Sequence, residues 1–225
     1  GGSGGGGGGG RGGGGEYEFP VVIDLDGDGV ELISLKDSPV QFDWDGDGDL
    51  DQTGWVGADD AILVFDRDLD GTITRADEIA FGFKGGKKDP FLSDLEGLKI
   101  FDTNGNGALD NGDFEFGGFS LWNDKNSNAT VDDGELISLL SFGIESINLT
   151  GNLSADRPHG HDNVVHANTQ VQLTNGESIL AADVMFAYRA EPGSPGLLPD
   201  RVFEDVLLNF EVRGLRHIPF TEFLV

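Results

Sequence analysis

At 225 residues the chain has room for one large domain or two small ones, and its 41 Asp and Glu against 14 Lys and Arg give a formal charge of −27. That balance argues against nucleic acid, which calls for a basic face, and the absence of Cys removes zinc–thiolate sites, a thiol nucleophile and disulfides. No apolar run reaches the length of a membrane helix, and with neither an initiating Met nor a signal peptide the sequence reads as part of a longer chain.

Residues 1–15 hold 13 Gly with Ser3 and Arg11 and read as a flexible linker, without the Asp that a nonapeptide calcium repeat needs. Residues 16–188 are expected to form one domain, and residues 189–225 a C-terminal extension. Within the domain, Val21–Ile23, Val40–Phe42 and Ala61–Phe65 are short, β-branched or aromatic runs that predict strands. Phe91, Leu92, Leu95, Leu98 and Phe101 recur at helical spacing and predict a helix over Pro90–Phe101, with Asp89 as N-cap and Pro90 in the first turn. A second helix is expected over Asp133–Phe142, closed by Gly143, followed by a strand at Ile144–Leu149. Asn152–Asn168 is polar and reads as an exposed loop, and Thr169–Leu173 with Ser178–Phe186 reads as a hairpin across Asn175-Gly176. Arg201–Val212 keeps helical spacing, and Trp44, Trp55 and Trp122 are expected in the core. The fold class expected from these elements is α+β, with short strands and a few helices ordered around acidic loops.

Those loops dominate the region from Asp24 to Glu135. Loop one is Asp24-Leu-Asp-Gly-Asp-Gly29, loop two Asp43-Trp-Asp-Gly-Asp-Gly48 and loop three Asp66-Arg-Asp-Leu-Asp-Gly71. Loop four is Asp102-Thr-Asn-Gly-Asn-Gly107 and loop five Asp124-Lys-Asn-Ser-Asn-Ala129. Each sets side-chain oxygens at positions one, three and five: Asp24, Asp26, Asp28; Asp43, Asp45, Asp47; Asp66, Asp68, Asp70; Asp102, Asn104, Asn106; Asp124, Asn126, Asn128. Calcium takes six to eight oxygens at about 2.3–2.6 Å, and such a turn supplies three of them. Four of the five loops put Gly at position six, where the loop must close; loop five has Ala129 there, at some backbone strain.

Position seven ligates through its carbonyl, which points to Thr72, Ala108 and Thr130 in loops three to five. Position eight is apolar in the same loops (Ile73, Leu109, Val131), and Leu109 and Val131 suggest a pairing of loops four and five. A carboxylate at or beside position twelve grips the ion with both oxygens: Asp77 or Glu78 in loop three, Asp113 in loop four, Glu135 in loop five. Loops one and two have Leu35 and Gly54 there, so either they bind weakly or a ligand comes from elsewhere. Glu31, Asp59 and Asp60 are the nearest spare acids, the Asp59-Asp60 pair sitting just before a strand that could carry it back. So many carboxylates repel one another without counter-ions, and the chain is expected to fold fully only with metal. Magnesium ranks behind calcium, because it keeps waters in strict octahedral sites. His159, His161 and His166 with Asp162 suggest a transition-metal site, against the plainer reading of a solvated polar loop.

Pro20 to Phe186 resembles the calcium-dependent self-processing module of the iron-regulated RTX proteins secreted by Gram-negative bacteria. The resemblance is carried by Pro20–Gly29, by Gly54-Trp-Val-Gly-Ala-Asp-Asp60 with Leu63-Val64, and by Asp66–Glu78. Leu121–Asp124, Glu135-Leu136, Gly143–Ile147 and Ala182–Val184 extend it. It implies a module ordered by calcium in EF-hand-like loops and hydrolysis of an Asp–Pro bond directly before it, the Asp side chain attacking its own carbonyl. Here Phe19 precedes Pro20 and has no carboxylate, and Glu18 is one residue too early for the same ring, so self-cleavage is not expected. The sole Asp–Pro pair, Asp89-Pro90, with Lys84, Lys87 and Lys88 nearby, reads as a relocated cleavage site or, preferred, as the helix start above. Thr221–Val225 resembles the acid-then-apolar tail of some type I secreted proteins.

The expectation is therefore a secreted or cell-surface calcium-binding module that folds on meeting calcium, with no catalysis of its own. The alternatives are a self-cleaving and cross-linking module, and a calcium-ordered adhesin or surface scaffold whose partner the sequence does not name.

Overall fold

A computed structural model describes residues 16–84, 87–88, 92–154 and 162–189. The expected helix at Arg201–Val212, the Asp89-Pro90 pair, and His159 and His161 lie outside the described residues. In chain order the elements begin with strands β1 (Glu16–Glu18), β2 (Val21–Ile23), β3 (Leu32–Ile33), β4 (Gln41–Phe42), β5 (Asp51–Thr53), β6 (Trp55–Val56) and β7 (Ala61–Phe65). They continue with helix α1 (Ala76–Ile79), β8 (Phe83–Lys84), β9 (Lys87–Lys88), α2 (Asp94–Gly97), β10 (Ala108–Asp110), β11 (Phe119–Trp122) and β12 (Leu136–Ser138). The last are α3 (Leu139–Phe142), β13 (Ile144–Asn148), β14 (Asn152–Leu153), β15 (Val164–Leu173) and β16 (Ser178–Arg189).

This is a β protein, and the α+β expectation is corrected. One twelve-stranded sheet runs β10-β13-β15-β16-β2-β7-β11-β12, with β1, β5 and β14 joined along it and β4 on β5. The helices are single turns of four residues, too short to be stable without tertiary packing. The helix predicted over Pro90–Phe101 is reduced to α2, capped by Ser93, and a 3-10 turn at Leu98–Ile100. Its periodic residues were a packing signal: Leu95, Leu98 and Phe101 are buried, while Ile100 is exposed. The helix predicted over Asp133–Phe142 is half strand, because Leu136–Ser138 pairs with Trp122–Ser120 across loop five. Only α3 survives, ended by Gly143 at φ +94° as its glycine suggested.

The three strands predicted before loops one to three form as β2, β4 and β7. The predicted hairpin forms as β15–β16, longer than expected, and Gly176 takes φ +89° in its turn. β15 begins at Val164, inside the stretch read as a loop, because Val164, His166 and Ala167 are buried there.

Both faces of the sheet are covered, which explains its continuous apolar strands. Val21, Ile23, Ala61 and Leu63 face one core with Phe81, Leu95, Leu98, Phe101, Leu109 and Phe119. Val22, Ile62 and Val64 face the other with Trp44, Trp55, Ile73, Trp122 and Phe186. The expected pairing of Leu109 with Val131 does not occur: Leu109 lies in the first core and Val131 packs on the second. Pairing fixes where the loops emerge. Ile23 is opposite Ala61 and Trp122 opposite Ile62, so the ends of β2 and β11 meet the start of β7 at one rim. Loop one, Asp60 and loop five gather there. Loop three leaves the opposite end of β7, where the Phe65 ring lies 5.4 Å from that of Phe101, the residue before loop four.

Candidate metal centre

All five loops adopt one backbone turn. Position four has positive φ in each (Gly27 91°, Gly46 75°, Leu69 59°, Gly105 70°, Ser127 53°), and so does position six (Gly29 115°, Gly48 93°, Gly71 79°, Gly107 84°, Ala129 51°). This left-handed geometry accounts for the glycines and puts strain on Leu69, Ser127 and Ala129. It folds the chain back onto the position-one carboxylate. The position-six amide donates to that group in every loop: Gly29 to Asp24 at 3.1 Å, Gly48 to Asp43 at 3.1 Å, Gly71 to Asp66 at 2.9 Å, Gly107 to Asp102 at 2.8 Å, and Ala129 to Asp124 at 2.9 Å.

A second carboxylate closes the loop from the other side. In loop three Glu78, almost fully buried, accepts from the amides of Arg67, Thr74 and Arg75 at 3.4, 3.1 and 3.1 Å. In loop four Asp113 accepts from Thr103, Asn104 and Asp110, and in loop five Glu135 accepts from Lys125 and Asp132. Against the desolvation of burial, those amides and the Thr103 hydroxyl hold the Asp113 carboxyl below its usual range. Loop one has the same closure from outside itself. Asp60 accepts at 3.3 Å from Leu25 N, the position-two amide that is closed in the same way in loops three to five, and at 2.8 Å from Glu31 N. Asp59, the neighbouring spare acid, is exposed.

Asp77 faces outward. Arg75 donates to it with Nε and a terminal nitrogen, both at 3.0 Å, and reaches Asp68 at 3.4 Å, while Arg67 pairs with Asp77 at 3.4 Å. Loop three thus uses position thirteen for closure and leaves position twelve to its own cations.

The oxygens converge. Asp24, Asp26 and Asp28, then Asp43, Asp45 and Asp47, then Asp66, Asp68 and Glu78 each bring carboxylate oxygens within 4.8 Å of one another. Asp70 lies beside the last group, its carboxyl lowered by the Thr72 hydroxyl and amide. In loop four the Asn104 oxygen accepts from Asn106 N and the Asn106 oxygen from Ala108 N, where β10 begins. In loop five the Asn128 oxygen accepts from Thr130 N at 2.7 Å.

Mutual repulsion is visible. The hydrogen bond and charge of Asp26 push Asp28 up; desolvation and then the charges of Asp28, Asp59 and Asp60 push Glu31 up to about 7. Desolvation raises Asp60 to about 6, against the amides that stabilise its charge. An all-oxygen donor set of converging carboxylates, short of compensating charge, fits a hard divalent cation. His166 is buried on β15, its ring centre 6.2 Å from that of Phe19 in an edge-to-face arrangement.

Three functional features escaped sequence reading. Asp110 accepts from the side-chain amides of Asn104 and Asn106, and Asp132 from those of Asn126 and Asn128. Both acids stand at position nine, and each fixes the direction of the two Asn amides; the co-occurrence of Asn at three and five with Asp at nine was the available signal. The third is a buried junction of Trp55, Asn123, Asp60 and Asp124 at the loop-one rim, which no spacing along the chain announces.

With this geometry in place, the likeness to known proteins is specific. Residues 21–187 match the SPM domain, and the chain belongs to that family. Among curated proteins, the iron-regulated protein FrpA of Neisseria meningitidis serogroup C is 29% identical over 148 residues. The match covers 65% of this chain and 13% of that protein, so the chain spans a small part of its relative's length.

Proposed function

We propose that this chain is a calcium-binding module of a secreted RTX-type bacterial protein, folding when it meets calcium and cutting no peptide bond. The observation that carries the reading is the turn repeated in five loops, each wrapping a position-one carboxylate, four of them closed by a second carboxylate on the position-two amide. Calcium would be held by the position one, three and five side chains with Asp60, Glu78, Asp113 or Glu135, supplying the positive charge these oxygens lack. Membership of the SPM domain family and the likeness to FrpA support the placement in such a protein. No helix among the described residues is long and apolar enough to cross a membrane.

At the start of the module the uncut reading is supported by position 19. Phe19 is buried beside Val164 and Met185 and has no side-chain carboxylate to attack its own carbonyl, while the following carbonyl, that of Pro20, accepts from Val184 N at 2.9 Å. Calorimetric titration with calcium, with gel electrophoresis of the same samples, tests both parts. Heat of binding at several sites and one intact band are expected. A chain equally ordered in chelator, or one that splits into two fragments, overturns the corresponding part.

A further inference from the structure

Asn123 bridges the backbones of the two residues whose carboxylates close loops one and five. Its backbone N–H donates to Glu135 O at 3.0 Å. Its side-chain Nδ2 donates to Asp60 O at 2.6 Å and to Ala58 O at 2.9 Å. Glu135 closes loop five, and Asp60 closes loop one from 35 residues away. Asn123 is itself buried and directly precedes Asp124, the fully buried first carboxylate of loop five. A shift of the Asp60 backbone therefore pulls on the Asn123 side chain, whose amide is held by Asp60 O and Ala58 O while its backbone N–H is held by Glu135 O.

We propose that Asn123 couples calcium occupancy of loops one and five, so that filling either raises the affinity of the other. The coupling rests on the reading of these loops as calcium sites. A cation in loop one draws the Asp60 carboxylate onto it, and the Asp60 backbone is tied to the Asn123 side chain. Asn123 in turn fixes the position of Glu135 through its carbonyl and of Asp124 through the chain. An ion in one loop therefore removes part of the ordering cost of the other, which is positive cooperativity with reciprocal magnitude. Among the described residues no hydrogen bond ties loop three, at the far end of β7, to Asn123, and it serves as the internal control.

The experiment is a calcium chloride titration of the full chain followed by NMR, reading the Gly29 amide for loop one, Ala129 for loop five and Gly71 for loop three. Each of these amides donates to its loop's first carboxylate. Asp60→Asn is expected to weaken calcium at Ala129 by about fivefold or more, and Glu135→Gln to weaken it at Gly29 by the same factor, Gly71 staying unchanged. Asn123→Leu, or Asn123→Asp should the first variant misfold, removes the side-chain donors and is expected to make the two loops independent. If neither Asn123 variant folds, the reciprocity of Asp60→Asn and Glu135→Gln decides alone. Independent titration of Gly29 and Ala129 overturns the coupling while leaving the sites intact; no calcium response at either amide overturns the site reading and the coupling with it.

Discussion

The indole Nε1 of Trp55 donates to Oδ2 of Asp124 at 2.9 Å, with both residues fully buried, so a tryptophan in the core holds the first carboxylate of loop five. Trp55 also lies 5.6 Å from Trp122 and 6.3 Å from Trp44, ring centre to ring centre. Calcium in loop five is therefore expected to change tryptophan emission. Trp55→Phe is expected to abolish most of that change and to weaken loop five by roughly 1.5–3 kcal/mol, the range for a hydrogen bond to a charged group. Fluorescence and calorimetric titrations of the two proteins check this; an unaltered calcium response in Trp55→Phe refutes it.

Glu78 and Asp77 are adjacent acids with opposite roles in the structure. Glu78→Gln is expected to lower calcium affinity at loop three by about tenfold, roughly 1.4 kcal/mol. Asp77→Asn breaks partly exposed ion pairs with Arg67 and Arg75, which are worth about 0–1 kcal/mol. Titrations followed at the Gly71 amide distinguish the two; a larger loss for Asp77→Asn reverses the assignment.

Ala129 and Leu69 hold left-handed backbone that glycine takes freely. Ala129→Gly and Leu69→Gly are each expected to stabilise the calcium-loaded module by about 0.5–1 kcal/mol, the relief of the side-chain penalty less the extra freedom of the unfolded chain. Thermal melts in excess calcium should rise by about 2–4 °C for each 1 kcal/mol gained. A fall in melting temperature would mean the side chains contribute more than their backbone costs.

Asp183 supplies a pH signature separate from the loops. It is fully buried on β16, accepts from Leu95 N at 3.2 Å, and leaves Oδ1 without a partner. Burial, aided by the charge of Glu96 and opposed by the Leu95 amide and the Ser93 hydroxyl, pushes its carboxyl up to about 7. Because the folded value exceeds the unfolded one, folding favours the protonated acid. Its stabilising effect is complete below the unfolded value near 4 and is lost as pH rises through about 7. Asp183→Asn in saturating calcium is expected to melt above the parent protein at pH 8 and to converge with it towards pH 5. Metal-held carboxylates give the opposite slope and cancel in the difference between the two proteins. A difference that stays flat with pH contradicts the assignment.

Much of each loop was legible because its geometry is local. Positions one, three, five and six lie within six residues, and alternating oxygens with glycine suffice to mark the turn. The strands of continuous apolar residues were legible for the same reason, being buried on both faces. What spacing could not reveal depends on strand pairing. Asp60 reaches loop one because β2 lies on β7, and Leu136–Ser138 became a strand because β11 offered it a partner. Leu95, Leu98 and Phe101 mark one buried face equally well in a long helix or in a short one running into a 3-10 turn, and the overestimate of helix came from there.

β16 neighbours β1, β2, β5 and β15, yet it is the last strand of the described chain. The strands that come earliest in this sheet, β1 and β2, are paired with the one that comes last, so each is unpartnered on that side until β16 is in place. Completion of the sheet is thereby reserved for a polypeptide that has been delivered through Arg189, whatever ions its earlier turns have already gathered.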